Sequence, residues 1–384
     1  MSRLTFVIML AGVGILLRET AVHGQAKFDE YNIVTADSVK LKARYYPSAK
    51  GQGPTVILLH PIGDGKSMDT PEWKSLAETL QKANFSVMMF DFRGHGESTT
   101  IDDPKVFWSK FPNANVKPAK AKVKDEIYVA DYIKNGNAYL PILVNDIAAV
   151  RAFLDRRNDN PKDCNTSNIF VIGADSGATL GALWINSEWH RYKYIGDHKN
   201  FLWKNEINKP ANYVDCAGSD ITGAVFLTIS PTLEKRAANP ASLLSIACKE
   251  RAMAALFMCG NDKKAVEFND KVAKSLKVKD STKHAFIGHF ELNTKLSGIN
   301  LLQKGLKNGP NKESTENLIA EYLTSVLKDR KAESITRDFL DTDYRWKGPK
   351  GGTFSAKESV PPFMTLKKGE KTLLFDDYAS KFLK

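Results

Sequence analysis

The residues that could do chemistry cluster in one short stretch, Asn168 to Gly181, which reads N-I-F-V-I-G-A-D-S-G-A-T-L-G. Asp175 and Ser176 stand side by side in it. One is a carboxylate, already ionised at neutral pH; the other is a hydroxyl that must lose a proton before it can attack. Either residue type serves as a nucleophile toward carbon. The unbroken apolar run Ile169 to Ile172 reads as a strand buried on both faces. The small residues Gly177, Ala178 and Gly181 then open a helix that continues through Leu183 and Trp184.

A strand that turns abruptly into a helix holds one side chain at the apex of a strained turn. The two backbones nearly touch there, so the positions two before and two after the apex must be small. With Asp175 at the apex, Gly173 and Gly177 fill both tight places; with Ser176, Ala174 and Ala178 fill them and bring two extra methyl groups. Sterics and the end of the apolar run favour Asp175, and Ser176 is the alternative. In either frame the next backbone N–H, of Ser176 or of Gly177, faces developing negative charge as an oxyanion donor.

The elements that must position this turn are legible on both sides of it. Thr55 to Leu59 is a buried-strand pattern that ends in His60-Pro61-Ile62-Gly63. Thr70 and Pro71 mark a helix start, with Trp73, Leu76 and Leu80 at helical spacing. A second buried strand, Phe85 to Phe90, leads into Asp91-Phe92-Arg93-Gly94-His95-Gly96-Glu97-Ser98. Pro141 begins an amphipathic helix with Leu143, Ile147, Val150 and Leu154 on one face. Buried strands recur at Ala224 to Ile229 and at Ala255 to Cys259, and a last amphipathic helix ends near Leu327.

This succession, over about residues 30–330, resembles the α/β-hydrolase superfamily. The resemblance implies an α/β fold with a mostly parallel central sheet flanked by helices. It implies that the loop after His60 supplies an oxyanion donor, the N–H of Ile62. Pro61 stands where glycine is usual and has no N–H to give. It places the triad acid at Asp262, in Gly260-Asn261-Asp262. It places the triad base at His289, where the short strand from His284 ends in Gly288-His289-Phe290. The order Asp175, Asp262, His289 is that of nucleophile, acid and base. His60 and His95 are implied to be structural. Relatives with an aspartate nucleophile, the haloalkane dehalogenases and epoxide hydrolases, carry a helical cap where this chain has only a short connection from Ile229 to Ala255, without room for one.

The chain has 384 residues, 42% of them hydrophobic, enough for one large core with peripheral insertions. A basic start, an apolar run from Leu4 to Leu17 and a small-residue exit read as a secretory signal over residues 1–26. Residues 27–330 read as the hydrolase domain. Within it, 99–140 form a polar insertion, either a lid over the carboxyl edge of the sheet or a solvated excursion, and 190–220 form a second. Residues 331–384 read as a basic linker and tail, rich in lysine, glycine and proline, and dispensable for the core. No later segment is long enough for a membrane span, so none is expected after signal cleavage.

The net charge of +11 comes from scattered lysines, and no nucleic-acid module accompanies them. Cys164 and Cys216 lie in polar stretches where export would permit pairing, and Cys259 lies in a strand pattern as a free core thiol. His190, Asp197 and His198 lack the short helical spacing of a zinc site, so neither metal nor cofactor is expected. The expected function is extracytoplasmic hydrolysis of an unidentified small organic substrate through a nucleophile–acid–histidine triad. The alternatives are a serine esterase or peptidase using Ser176, and a binding protein without chemistry on the same fold.

Overall fold

The computed structural model describes residues 28–109, 113–116, 125–133, 139–158, 163–189, 191–195, 215–233, 236–277, 286–307, 312–329, 342–347 and 353–357. The expected signal segment lies outside them, as do His190, Asp197, His198 and His284.

The first half of the chain runs β1 (Asp29–Val34), β2 (Lys40–Tyr46), β3 (Gly53–Leu59), α1 (Pro71–Lys82), β4 (Ser86–Phe90), α2 (Pro104–Ser109), α3 (Val129–Ile133) and α4 (Val144–Arg157). It continues through β5 (Cys164–Ala174), α5 (Ser176–Trp189), β6 (Arg191–Ile195), β7 (Asp215–Cys216), β8 (Ile221–Leu227), β9 (Thr232–Leu233), β10 (Arg236–Ala237) and α6 (Pro240–Leu243). The last part holds β11 (Ala254–Gly260), α7 (Lys263–Leu276), β12 (Ile287–Leu292), α8 (Thr315–Asp329), β13 (Thr342–Lys347) and β14 (Thr353–Lys357).

Eight strands make the main sheet in the order β1-β2-β4-β3-β5-β8-β11-β12. β1 and β2 pair antiparallel, as do β2 and β4, and every other neighbour is parallel. Every residue of β4, β5 and β8 is buried. Helices cover both faces, which is why these strands read in sequence as continuous apolar runs. On one face α1 and α8 pack Trp73, Leu76, Leu80, Ile319 and Leu323 against Val56, Phe170 and Val225. On the other, α4, α5 and α7 pack Ile147, Val150, Leu180, Trp184 and Val272 against Val171, Phe226 and Phe257. α1 starts as its sequence predicts: Thr70 accepts a hydrogen bond from Trp73 N at 3.3 Å, with Pro71 in the first turn.

Strand order reverses at β3. The chain steps from β3 to β4 on one side and returns to β5 on the other. Loops leaving the carboxyl ends of β3 and β5 therefore diverge and leave a crevice, the place where open α/β sheets bind ligands. The His60 loop and the Asp175 turn are those two loops.

Two regions gain detail beyond the sequence-based expectation. In the first insertion Phe107, Ile127, Tyr132 and Tyr139 are buried in the main core. The tail is not all linker. β13 and β14 form an antiparallel hairpin, and β13 pairs with β6, which pairs with β7, making a second four-stranded sheet from the tail and the second insertion. The alternating Tyr344 and Trp346 carried that strand signal, and the surrounding lysines, glycines and prolines hid it. Cys164 lies buried at the start of β5 as a free thiol, and Cys248 and Cys259 are free and buried too.

Candidate active site

Asp175 occupies the apex. It follows the last residue of β5 and precedes the first of α5, with φ +50°. For a residue with a Cβ this left-handed conformation is strained by about 1–3 kcal/mol, and surrounding contacts must hold it. Two of them are backbone bonds: Asp175 N donates to Leu227 O at 3.0 Å, and its own carbonyl accepts from Ala178 N at 3.1 Å. The glycines flanking it are obligatory. A Cβ on Gly173 would lie 2.6 Å from Ala178 Cα, and one on Gly177 would lie 2.3 Å from His60 O. That second contact brings the α5 turn against the loop after β3.

Ile62 N donates to Ser176 Oγ at 2.7 Å. The N–H expected as an oxyanion donor is thus engaged by the Ser176 hydroxyl. Gly177, the other expected donor, lies in the first turn of α5 beside His60 O. Two buried histidines hold the loop. His60 Nε2 accepts from Phe92 N at 3.1 Å while its Nδ1 faces Pro61 O at 2.7 Å. His95 Nε2 accepts from Gly63 N at 3.1 Å while its Nδ1 faces Arg93 O at 3.0 Å. Each ring uses one nitrogen as acceptor and the other as donor, which is the neutral imidazole. Burial pushes His60 well below its ordinary value and His95 down to about 4, so both stay neutral at physiological pH. These two residues are structural.

Burial pushes the Asp175 carboxyl up to about 6, and the nearby positive charge of Lys66 pulls against that rise. Among the described residues no hydrogen bond reaches its oxygens. It borders a cleft of about 670 Å³ lined by residues 228–232 after β8 and by the first turns of α7. On another side lies Gly298, where a Cβ would come 1.9 Å from Asp175 Oδ2. Gly298 has φ +55°, and its N–H donates to Thr228 Oγ1 at 2.9 Å. Thr228 itself turns left-handed, at φ +55°, ending β8.

The structure does not bring Asp262 and His289 to this apex. Asp262 caps α7: its exposed carboxylate accepts from Ala265 N at 2.9 Å. His289 lies inside β12, level with Phe257, Phe226 and Gly173 across the sheet. Three strand spacings of about 4.8 Å place it roughly 14 Å from β5. Its ring sits under α7, with Nε2 3.2 Å from Cys259 Sγ and Nδ1 3.9 Å from Asp270 Oδ1. Burial lowers the pKa of His289 and pushes the Cys259 thiol up to about 11, so the pair is neutral. The physical reason is register. β12 starts at Ile287 and runs on to Leu292, so Gly288-His289-Phe290 lies within the strand instead of closing it. The loop that reaches Asp175 is the next one, ending at Gly298, and residues 293–298 contain no histidine.

Three contributors had weak sequence signals. Gly298 and Thr228 shape the apex but carry no motif. Asn269 lines the cleft and belongs to the buried stripe Asn269, Val272, Ala273 and Leu276 of α7, so it is a polar residue at an apolar helical position. That spacing could have marked it. No group of three or more histidine, cysteine, aspartate or glutamate side chains among the described residues could hold a metal ion. No described helix is long and apolar enough to cross a membrane.

No protein-family model matches the chain. A stretch of 71 residues is 35% identical to a thiohydrolase of Aspergillus aculeatus, covering 18% of this chain and 21% of that protein. The chain therefore matches about a fifth of the length of that curated relative. Among solved structures, an esterase of Pyrococcus furiosus is similar over 79% of this chain and 92% of its own, at 16% identity and TM-score 0.47. A dienelactone hydrolase of Anabaena variabilis is similar over 79% and 98%, at 14% identity and TM-score 0.44. A serine hydrolase without a lid from Xanthomonas campestris is similar over 80% and 98%, at 11% identity and TM-score 0.39. By its mostly parallel eight-stranded sheet, its strand order and the helices on both faces, the chain has the α/β-hydrolase fold.

Proposed function

We propose that the chain is an exported hydrolase that acts on a small organic substrate in the cleft, with Asp175 as the attacking group. One observation carries this reading. The strained apex, where the fold presents a nucleophile, holds a carboxylate that no hydrogen bond reaches among the described residues, beside an N–H donor on the neighbouring loop. The ionised carboxylate bonds to an electrophilic carbon, and the leaving group departs with the bonding electron pair. An ester of Asp175 remains, or a mixed anhydride if the carbon is a carbonyl. Water then adds to the Asp175 carboxyl carbon, the bond to the product oxygen breaks as that oxygen takes one of the water protons, the other proton passes to solvent, and the carboxylate is restored. The N–H groups of Ile62 and Ser176 stabilise the oxyanion, and Ser176 Oγ gives up the Ile62 N–H as that charge forms.

Only the ionised carboxylate attacks. With Asp175 pushed up to about 6, kcat should rise with pH through a midpoint near 6 and level off above it. A pH–rate profile on 4-nitrophenyl esters and thioesters checks this, and a rate that is flat through that range removes Asp175 as the attacking group.

A second reading, a ligand-binding protein without turnover, is favoured by one specific observation: Asp262 and His289 are engaged elsewhere, as helix cap and beneath α7. The same arrangement weighs against Ser176 as nucleophile, since His289 is not beside it to take its proton.

Export rests on the basic start and the apolar run Leu4 to Leu17. The mature chain is expected to begin near residues 25–27, and N-terminal sequencing of exported material that returns Met1 would contradict it.

A further inference from the structure

Among the described residues, two acceptors in the cleft have no donor. Asn269 is fully buried; its Nδ2 donates to Ala265 O at 2.8 Å, and its Oδ1 has no partner. Among the described residues no hydrogen bond reaches the Asp175 carboxylate, and both residues line the same cleft. A buried acceptor without a donor, as at Asn269, is destabilising and uncommon in folded proteins, and the half-buried Asp175 carboxylate adds a second acceptor beside the same cleft.

The rest of the wall narrows the chemistry. Lys264 lines the cleft, and the charge of Lys66 is felt at Asp175, so the two lysines offset the attraction of the Asp175 carboxylate for a cationic donor. Neutral donors remain. Thr228, Ser230 and Thr232 add hydroxyls, groups that both give and accept hydrogen bonds. Ser230 Oγ accepts from Thr232 N at 3.1 Å and lies 3.2 Å from Thr232 Oγ1, while Thr228 Oγ1 accepts from Gly298 N and keeps its own proton to give. Phe268 and Pro231 supply apolar surface between these polar groups. Acceptors, dual-role hydroxyls and an aromatic face together match a ligand with several hydroxyl groups on a carbon skeleton.

We infer that the cleft takes a polyhydroxylated ligand of the sugar or polyol class, with Asn269 as the residue that selects for its hydroxyl donors. This deepens the hydrolase reading by naming the class of the bound part of the substrate. Hydrogen-bonding sites of this kind discriminate strongly, because an analogue without the donor leaves the protein acceptor unpaired in the complex.

The test is ligand-observed saturation-transfer NMR on the full chain. The probes are a panel of methyl pentosides, methyl hexosides and alditols, each paired with its fully O-methylated ether. At least one hydroxylated member should bind about tenfold or more tightly than its ether, and Asn269→Leu should remove that preference. If Asn269→Leu does not fold, Thr232→Val, which keeps side-chain shape and deletes a hydroxyl, should weaken the same ligand severalfold. The inference is overturned if no member is distinguished from its ether, or if the preference survives in every folded variant. Hydroxyl-selective binding without hydrolysis of the corresponding acetyl esters would sink the hydrolase reading and leave this one standing. Turnover of 4-nitrophenyl esters without any hydroxyl preference would do the reverse.

Discussion

Asp175→Ala should abolish turnover, lowering kcat by a factor on the order of 10⁴ or more, while Ser176→Ala should change it by less than about tenfold. The asymmetry follows from what each substitution removes. Alanine at 175 deletes the only side chain at the apex and with it the carboxylate that bonds to substrate. Alanine at 176 deletes a hydroxyl that accepts from Ile62 N at 2.7 Å but keeps the Ser176 backbone N–H and leaves the Ile62 donor open to the oxyanion. Loss of a true oxyanion donor costs about 10²–10³ in kcat, and this change removes none. Both variants should fold, since alanine adds no bulk against Gly298 or Ile62. Steady-state kinetics on both decide the matter. Equal loss in the two variants, or loss in Ser176→Ala alone, would move the nucleophile to Ser176.

Arg93→Leu should lower stability by about 3–5 kcal/mol, the cost of leaving buried charges without their partner. Arg93 is fully buried with Asp37 and Asp146. Its guanidinium donates to Asp146 Oδ1 from Nε at 2.8 Å and from Nη2 at 2.6 Å, and to both oxygens of Asp37 at 2.5 and 3.0 Å. Tyr139 accepts from Nη1 at 3.2 Å, and Asn113 donates to Asp37 at 2.8 Å. One side chain therefore joins the β1–β2 turn, the loop after β4, the first insertion and α4. The effect reaches the site because the Arg93 carbonyl faces His95 Nδ1 and His95 holds Gly63 N. A fall in melting temperature on the order of 10 °C is expected for a domain of this size. Arg93→Lys should lose most of it too, since an ammonium cannot fork to two carboxylates. An unchanged melting temperature in Arg93→Leu would show that the network contributes nothing net.

The strand–helix turn was readable because its constraint is local. Two glycines spaced around one apex residue are demanded by backbone contact, and Gly173 and Gly177 meet that contact in the structure. The sheet was readable for a similar reason, since strands buried on both faces have only one compositional solution. What failed to read was register. A three-residue difference in where β12 begins moves His289 from the end of a strand to its interior, and no apolar pattern in His284 to Phe290 fixes that start. Asp262 read as a triad acid because aspartate after a strand and before a helix suits both a catalytic loop and an N-cap, and the bond to Ala265 N shows the second use. The contact between Ile62 and Ser176 spans 114 residues and follows from the strand order, which single-sequence reasoning reached only through the resemblance.

The most direct test of Asp175 chemistry is the fate of oxygen in one turnover. Enzyme in excess over a turned-over 4-nitrophenyl ester, thioester or epoxide is allowed to react in heavy-oxygen water, and the peptide spanning Ile169 to Trp184 is weighed by mass spectrometry. If Asp175 attacks, solvent oxygen enters its carboxylate and the first product carries an unlabelled oxygen from the enzyme. Label found only in the product, with none in Asp175, would contradict that assignment.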